Sequence, residues 1–388
     1  MATTHVRVLL HKMLGVVMHK KRLNTLIELV ETAIDSKRLS LTELGRQLDV
    51  SILERSAVRR VDRFLGNEHL SEERPNICKR LLEYMLGNRK QIELLIDWTA
   101  IPNTRQWALR AALILEGRAL PVYEEVHSNE MQQKAEVQRK FLKKLKEILP
   151  AEIKVVIIGD AGFTNTWMRD VKKLGWDFIC RVRGIKSINL DTLGKWQSYK
   201  DMQKNIAVQP TYHGAGILCK SNSLKVYFYS CKKSASSEKK RTQKAKYFFD
   251  SVNEGWLLVS SLSDEKIKAM QVVALYGKRM QIEEGFRDLK SSQYGLSFEN
   301  AYSKQPGRIE ILLLIGMLVS WVAWLTGWCA EKKNLHRQFQ ISSYRDRRVL
   351  SFFYLGCQVI RKRFNIPITE IKEAIQTLTS YSVLKWEY

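Results

Sequence analysis

The chain has few cysteines and few histidines, and neither is arranged as in a metal-binding finger. Its six cysteines include no Cys-x2-Cys pair, and its seven histidines include no His-x3-His spacing. These absences argue against a structural zinc site and a disulfide framework, so we expect free thiols in a reducing cytoplasm. We also expect no secretory signal, because the short apolar run near the N-terminus is flanked by His and Lys on both sides.

Acidic residues are scarce relative to basic ones. Among 388 residues, 64 Lys and Arg stand against 40 Asp and Glu, which gives a formal net charge of +24. An excess of this size indicates a polyanionic partner such as nucleic acid, although charge alone does not separate DNA, RNA and acidic membranes. Hydrophobic residues make up 45% of the chain, which is enough for a substantial core, so we expect a globular protein of more than one domain.

One stretch is long and apolar enough to be considered as a membrane span. Residues 311–330 are uncharged throughout, and their number is about what a helix needs to cross a bilayer. A single such stretch in a highly charged chain also fits a helix that is buried on all sides in a large core. We expect burial, and therefore no stable association with a membrane.

Four polar side chains are predicted to share one face of a helix. The segment 276–290 lies in an uninterrupted helical pattern and contains Tyr276, Arg279, Glu283 and Lys290. At about 100° per residue, these four project within an arc of about 60°. Apolar residues occupy the adjoining arc: Leu275, Ile282, Phe286 and Leu289. The helix can therefore bury one side in a core while a carboxylate, two cations and a phenol face a cleft.

The spacing Tyr-x2-Arg-x3-Glu-x6-Lys resembles the signature of the DDE transposases of the insertion-sequence-4 family, the group that includes the transposases of transposons Ten and Five. The resemblance extends over most of the chain and is greatest to the insertion-sequence-ten branch. It implies that Glu283 is the third catalytic carboxylate and that Tyr276, Arg279 and Lys290 contact phosphates of the transposon end. It also requires two upstream Asp residues at strand ends.

Two short apolar runs that end near an Asp have the pattern of buried strands. They are residues 93–98, which contain Asp97, and residues 154–160, which end in Asp160. A predicted hairpin and a long amphipathic helix lie between them. Three antiparallel strands, a helix and a parallel strand beside the first is the order of a ribonuclease-H-like fold, in which the two Asp residues would lie side by side. The Asp-Ala-Gly-Phe segment at 160–163 also resembles the family pattern around its second Asp.

We predict that Asp97, Asp160 and Glu283 form the catalytic and metal-binding site. A single Asp after a strand is more often a turn or cap residue, but two at adjoining sheet positions, together with a Glu on the polar face, indicate a site. Clustered carboxylates repel one another unless a cation is present, and Mg²⁺ prefers oxygen ligands. We expect two Mg²⁺ ions, with Mn²⁺ able to substitute, to bind the attacking and leaving oxygens of an in-line phosphoryl transfer.

Residues 185–262 interrupt the predicted core with strand-like runs and a basic stretch between residues 219 and 250. The resemblance implies a β-rich insertion here, between the second Asp and the Glu. It also implies that Trp256 stacks on a base flipped out of the transposon end, as a Trp at nearly this spacing does in the resembled group; such stacking is physically reasonable. The second aromatic that some members have directly after the Arg is Met280 in this chain.

The predicted fold class is α/β, with a ribonuclease-H-like catalytic core made of a mixed sheet and flanking helices. This core spans residues 89–184 and 263–335, on either side of the insertion. Residues 1–88 are predicted as an all-α DNA-binding domain in which two helices resemble a helix-turn-helix, the alternative being a small bundle with solvated arginines. Residues 336–388 are predicted as a helical region, and the resemblance implies that it helps to join two protomers on paired DNA ends.

The resemblance implies a bacterial DNA transposase in the cytoplasm, at the nucleoid. It would bind terminal inverted repeats and perform cut-and-paste transposition by metal-dependent strand cleavage, hairpin formation and strand transfer. Its partners would be double-stranded DNA, at the transposon ends and the target, and a second protomer in the DNA complex. Two alternatives stay open: a ribonuclease-H-like nuclease or resolvase that only cuts, and a catalytically inactive DNA-binding relative.

Overall fold

Helices form the N-terminal part of the protein. The computed structural model describes residues 5–48, 51–132, 134–232, 254–341, 344 and 347–380. The N-terminal helices are α1 (His5–Leu14), α2 (Lys20–Ser36), α3 (Leu41–Arg46), α4 (Glu54–Leu65) and α5 (Glu68–Leu86). Each turns an apolar side to the interior, as the spacing of its Leu, Ile and Val residues predicts.

A ten-stranded sheet runs through the centre of the molecule, in the order β3-β2-β1-β4-β5-β10-β9-β8-β6-β7. Its strands are β1 (Gln91–Ala100), β2 (Gln106–Ile114), β3 (Ala119–Ser128), β4 (Lys154–Gly159), β5 (Asp177–Val182), β6 (Ser187–Leu190), β7 (Trp196–Ser198), β8 (Thr211–Leu218), β9 (Leu224–Cys231) and β10 (Trp256–Ser260).

The first five strands have the arrangement that the sequence predicts. The hairpin β2–β3 lies antiparallel beside β1, β4 is parallel to β1 on the other side, and β5 is parallel to β4. Strand β1 is therefore paired on both edges and buried on both faces, which agrees with its nearly continuous apolar run. This mixed α/β arrangement is consistent with a ribonuclease-H-like core.

Strands from the predicted insertion extend the same sheet. Strand β10 pairs antiparallel with β5 on one side and with β9 on the other, and β8, β6 and β7 follow outward. The core and the predicted insertion thus share one continuous set of backbone hydrogen bonds. Residues 233–250, which form much of the predicted basic stretch, lie outside the described part of the chain.

Helices cover both faces of the sheet. The remaining ones are α6 (Ala135–Ile148), α7 (Asn165–Lys173), α8 (Tyr199–Lys204), α9 (Ala269–Gly277), α10 (Met280–Lys290), α11 (Pro306–Lys332), α12 (Phe352–Arg361) and α13 (Ile368–Ser380). Alternate residues of a strand point to opposite faces, and here Leu94 and Ile96 join one apolar cluster while Leu95 joins a second one under α9 and α10. The face that carries α9 and α10 also carries the residues discussed below.

The long apolar stretch forms the central helix α11, which is buried in the core as expected. Its side chains at residues 311–319 and 321–330 are all buried. Helix α12 crosses it closely enough that a Cβ on Gly327 would lie 2.0 Å from the carbonyl oxygen of Phe352. Only a glycine can occupy this position without moving the two helices apart.

The prediction of one uninterrupted helix through the polar segment is wrong. The structure has two helices, α9 and α10, with a tight turn at residues 278–279 between them. Hydrogen bonds in the turn join residues three apart: Lys278 N donates to Leu275 O and Arg279 N donates to Tyr276 O. Gly277 lies directly before the break and has low helix propensity, which accounts for the interruption.

Candidate active site

Asp97 and Asp160 lie at adjoining positions of two neighbouring parallel strands. The ladder between β1 and β4 ends with the pair Ile96 and Gly159, and each Asp is the next residue along its chain. Strand β1 does not end at Asp97, as the sequence had suggested; it continues to Ala100 because β2 still pairs with it there. The two carboxylates therefore meet where the parallel ladder stops, on the face that carries α9 and α10.

Local hydrogen bonds hold both carboxylates. Oδ1 of Asp97 accepts from the backbone N–H of Trp98 at 2.8 Å, and Oδ1 of Asp160 accepts from the backbone N–H of Gly162 at 2.8 Å. The turn after β4 is anchored by Phe163, whose buried ring packs against Trp167 with centroids 4.4 Å apart. The Asp-Ala-Gly-Phe segment thus fixes the second Asp against the sheet.

Arg279 connects the third carboxylate to the first. One guanidinium nitrogen, Nη2, lies 2.5 Å from Oε1 of Glu283, and the other, Nη1, lies 3.4 Å from Oδ2 of Asp97. Glu283 is in the first turn of α10, four residues after Arg279, so the two side chains share one side of the helix start. The structure therefore links Asp97 to Glu283 through a guanidinium, and Asp160 lies beside Asp97 at the end of the parallel ladder.

The ionised form of Asp97 is disfavoured beside Asp160. Burial, followed by the charge of Asp160, raises the pKa of Asp97 to about 7, although Arg279 acts in the opposite direction. The side chain of Asp97 is 15% exposed whereas that of Glu283 is 41% exposed. Of these two carboxylates, that of Asp97 is thus the less exposed and that of Glu283 the more exposed.

Lys290 lies against the end of strand β1. Its Nζ donates to Oγ1 of Thr99 at 2.6 Å and to the carbonyl oxygen of Ala100 at 2.5 Å. Burial, followed by the charge of Arg110, lowers the pKa of Lys290 to about 8. The C-terminal end of α10 is therefore tied to the strand that carries Asp97.

Tyr276 and Trp256 form an aromatic pair. Trp256 is the first residue of β10 and is half-buried, and its ring meets that of Tyr276 edge to face, with centroids 4.9 Å apart. Tyr276 is only 3% exposed, and burial raises its pKa. The phenol thus lies beneath the surface, between Trp256 and Arg279.

Comparison with known protein families shows to which family the chain belongs. Residues 88–321, which are more than half of the chain, match the family described as the Transposase DDE domain. The protein belongs to this family. No curated protein matches the chain. Membership identifies a transposase, an enzyme that acts on DNA, and DDE transposase domains generally use divalent metal ions.

The carboxylates at this site of the transposase are suitable ligands for a hard divalent cation. Asp97 and Asp160 offer carboxylate oxygens side by side, and burial together with the charge of Asp160 raises the pKa of Asp97, an effect that a bound cation would oppose. Within the part of the chain that the structure describes, no three His, Cys, Asp or Glu side chains are grouped closely enough to hold one ion. Arg279 contacts Oδ2 of Asp97 and Oε1 of Glu283 and so neutralises part of their charge.

The sequence interpretation missed a buried ion pair beside this site. Arg110 of β2 lies directly opposite Asp97 in the β1–β2 ladder, and its Nε lies 2.7 Å from Oε1 of Glu124 in β3. The guanidinium also lies over the ring of Phe286 in α10, with its carbon 4.3 Å from the ring centroid. One signal for it was available in the sequence, because a charged residue in the middle of each of two apolar strands indicates a buried partner.

Proposed function

We propose that this transposase is of the insertion-sequence-4 type, closest to the insertion-sequence-ten branch. It binds the terminal inverted repeats of its element and moves the element by strand cleavage, hairpin formation and strand transfer. The observation that carries the proposal is the meeting of Asp97 and Asp160 at the end of the parallel ladder, with Glu283 joined to Asp97 through Arg279. The signature spacing from Tyr276 to Lys290 supports the subgroup.

In this proposal Asp97, Asp160 and Glu283 are the catalytic residues and hold two Mg²⁺ ions, for which Mn²⁺ can substitute. When bound, such ions activate the attacking oxygen and neutralise charge on the leaving oxygen. The buried Asp97 and the fixed Asp160 keep the oxygen ligands in place before DNA arrives. Water is the first nucleophile and liberates a 3′-hydroxyl, which attacks the opposite strand to form the hairpin. A second water opens the hairpin and regenerates the 3′-hydroxyl, which then attacks target DNA.

The helices α3 and α4 support DNA binding by the N-terminal region. They approach closely, because a Cβ on Gly45 would lie 2.5 Å from Cα of Val58. Arg55, Arg59 and Arg63 recur every four residues along α4 and are exposed. We propose that this helix contacts the transposon end and that these cations bind phosphates.

Trp256 and the cations of the polar segment are the proposed contacts near the cleavage point. The indole is half-buried and Tyr276 contacts it edge to face, so it can serve as a platform for one unstacked base. We assign Tyr276, Arg279 and Lys290 to the surrounding phosphates. We further propose that two protomers act on paired ends, with the C-terminal helices contributing to the contact, in the bacterial cytoplasm at the nucleoid.

The test is a cleavage assay on labelled duplexes copied from the DNA that flanks the reading frame, with Mg²⁺ and a target plasmid. We expect nicked, hairpin and joined products. The variants Asp97→Asn, Asp160→Asn and Glu283→Gln should lose all three while still binding the duplex, and the matched control Asp191→Asn, in an exposed turn, should retain them. Full cleavage by any one variant would remove that residue from the site. Cutting without joining would favour the nuclease or resolvase alternative.

A further inference from the structure

The guanidinium of Arg279 lies where a cation shared by two of the proposed metal ligands would lie. Its two terminal nitrogens contact Oδ2 of Asp97 and Oε1 of Glu283, one on each side. A guanidinium carries one positive charge and only donates hydrogen bonds. It can therefore neutralise part of the carboxylate charge, but it cannot bind a phosphoryl oxygen and a water as a divalent ion does.

In this geometry Arg279 and a metal ion would compete for the same carboxylate oxygens. Glu283 cannot direct Oε1 at a metal ion while that oxygen lies 2.5 Å from Nη2 of Arg279. Binding of an ion between Asp97 and Glu283 thus requires the guanidinium to leave. Departure of the guanidinium would cost free energy in the DNA-free protein, because it would separate a partly buried cation from two carboxylates.

Arg279 has a route out of the site. It lies in the turn between α9 and α10, at the start of α10, and its neighbour Met280 is exposed, with Sδ 3.9 Å from Nη2. A rotation of the long side chain about this turn would bring the guanidinium to the surface. A DNA phosphate at that surface is a strong partner for it, because Arg binds phosphate through two parallel hydrogen bonds.

We propose that Arg279 is an exchangeable counter-ion that occupies the shared metal position until the phosphate of a bound DNA end draws it away. The inference rests on the proposed function of the three carboxylates. It couples the two ligands of the site: DNA binding frees the carboxylates for metal, and metal binding frees the arginine for DNA. Because such coupling is reciprocal, each ligand must raise the affinity for the other by the same factor.

The first experiment measures Mn²⁺ binding to the full-length protein by calorimetry, without DNA. We expect Arg279→Gln to bind Mn²⁺ about tenfold more tightly than the wild type, which corresponds to about 1.4 kcal/mol. Arg287→Gln is the matched control, because it removes the same charge from the same helix at an exposed position. Circular dichroism and thermal unfolding verify that each variant is folded. Equal Mn²⁺ affinity in the wild type and both variants would overturn the proposal.

The second experiment uses the wild type and so does not depend on the folding of a variant. Mn²⁺ affinity is measured with and without a duplex copied from the flanking repeat. We expect the duplex to tighten Mn²⁺ binding about tenfold in the wild type and in Arg287→Gln, and less than about twofold in Arg279→Gln. An equal effect of the duplex in all three proteins would overturn the role of Arg279.

A separate variant distinguishes failure of this inference from failure of the proposed function. Asp160→Asn removes a proposed ligand that Arg279 does not contact. If Asp160→Asn abolishes Mn²⁺ binding while Arg279→Gln leaves it unchanged, the metal site stands and the counter-ion role is wrong. If Asp160→Asn binds Mn²⁺ as the wild type does, with and without the duplex, the metal site itself is wrong and both proposals fall.

Discussion

The guanidinium of Arg110 and the carboxylate of Glu124 form an ion pair of 2.7 Å in the sheet, with only 3% and 2% of their side chains exposed. The pair lies beside Asp97 in the strand ladder and beneath Phe286 of α10. Charges this deep are tolerated only when each has its partner, because desolvation costs several kcal/mol per ion. The pair thus fixes how α10 rests on the first three strands.

Removal of one member of this pair should destabilise the protein strongly. We expect Arg110→Met to lower the free energy of unfolding by about 3–5 kcal/mol, because it leaves Glu124 buried without its partner. The double variant Arg110→Met with Glu124→Leu should recover most of this loss. Urea unfolding measures both.

The matched control is the exposed pair of Arg363 and Asp35, whose nitrogen and oxygen are 2.7 Å apart but whose side chains are 61% and 38% exposed. Arg363→Met should cost no more than about 1 kcal/mol. If the Arg110 variant costs as little as this control, the buried pair does not support the sheet and the argument about α10 is wrong.

Asp97 should make the metal-free, DNA-free protein less stable as the pH rises. Its pKa is raised to about 7 in the folded protein from its ordinary value of 3.8, so between these values the folded state binds more protons than the unfolded state. The contribution of this carboxyl group to the free energy of unfolding is fully present below about pH 4 and is lost as the pH rises through about 7. We expect Asp97→Asn to gain stability relative to the wild type as the pH rises, by at most about 4 kcal/mol.

The measurement is urea unfolding of both proteins in EDTA at several pH values from about 4.5 to 8. Asp191→Asn, at an exposed position, serves as the control and should follow the wild type at every pH. A constant difference between Asp97→Asn and the wild type across this range would mean that the carboxyl of Asp97 titrates as an ordinary exposed one.

The meeting of Asp97 and Asp160 could be predicted from the sequence because it follows from strand order alone. Parallel neighbours with apolar runs of known direction must place their ends together, and the pattern around each Asp was clear. The contacts of Arg279 and Lys290 could not be predicted in this way. They depend on a break after Gly277 and on rotamers of long side chains, which periodicity does not specify.

The pair of Arg110 and Glu124 escaped prediction for a different reason. A single charged residue in an apolar strand indicates a buried partner but does not say which strand supplies it. The partner became evident only from the register, in which Arg110 faces Glu124 on one side and Asp97 on the other. Register is set by the turns and the packing of the whole sheet, which lie beyond local sequence patterns.

The arginines along α4 should determine how DNA binding depends on salt. Each phosphate contact contributes close to one unit to the slope of log affinity against log salt concentration. We therefore expect the combined change of Arg55, Arg59 and Arg63 to Ala to reduce the slope by about two to three units. Fluorescence anisotropy with a labelled duplex, at several salt concentrations, gives the slope.

The control for this measurement is Arg60→Ala on the same helix. Arg60 is paired with Glu28 at 2.6 Å and so belongs to the helical packing and not to the exposed side. Its slope should equal that of the wild type. An unchanged slope in the triple variant would mean that α4 does not lie on the DNA and that its arginines are solvated.

Trp256 separates a hairpin-forming transposase from a nuclease that only cuts. If the terminal base must leave the stack for the strand to fold back, an aromatic platform stabilises that geometry by roughly 1–3 kcal/mol. This corresponds to a change of about five- to 150-fold in the rate of hairpin formation. First-strand nicking needs no such fold. We therefore expect Trp256→Ala to nick the ends at close to the wild-type rate and to form hairpins about five- to 150-fold more slowly.

One further substrate and one further variant make this result specific to stacking. An abasic nucleotide at the flipped position should partly restore hairpin formation by Trp256→Ala, because no base then has to be held out of the duplex. Trp196→Ala, which removes an exposed indole in β7, should form hairpins as the wild type does on intact and abasic ends. A time course on denaturing gels resolves nick from hairpin. Equal loss of both steps in Trp256→Ala would mean that the indole supports the sheet through its contact with Tyr276, because a base platform would leave nicking intact.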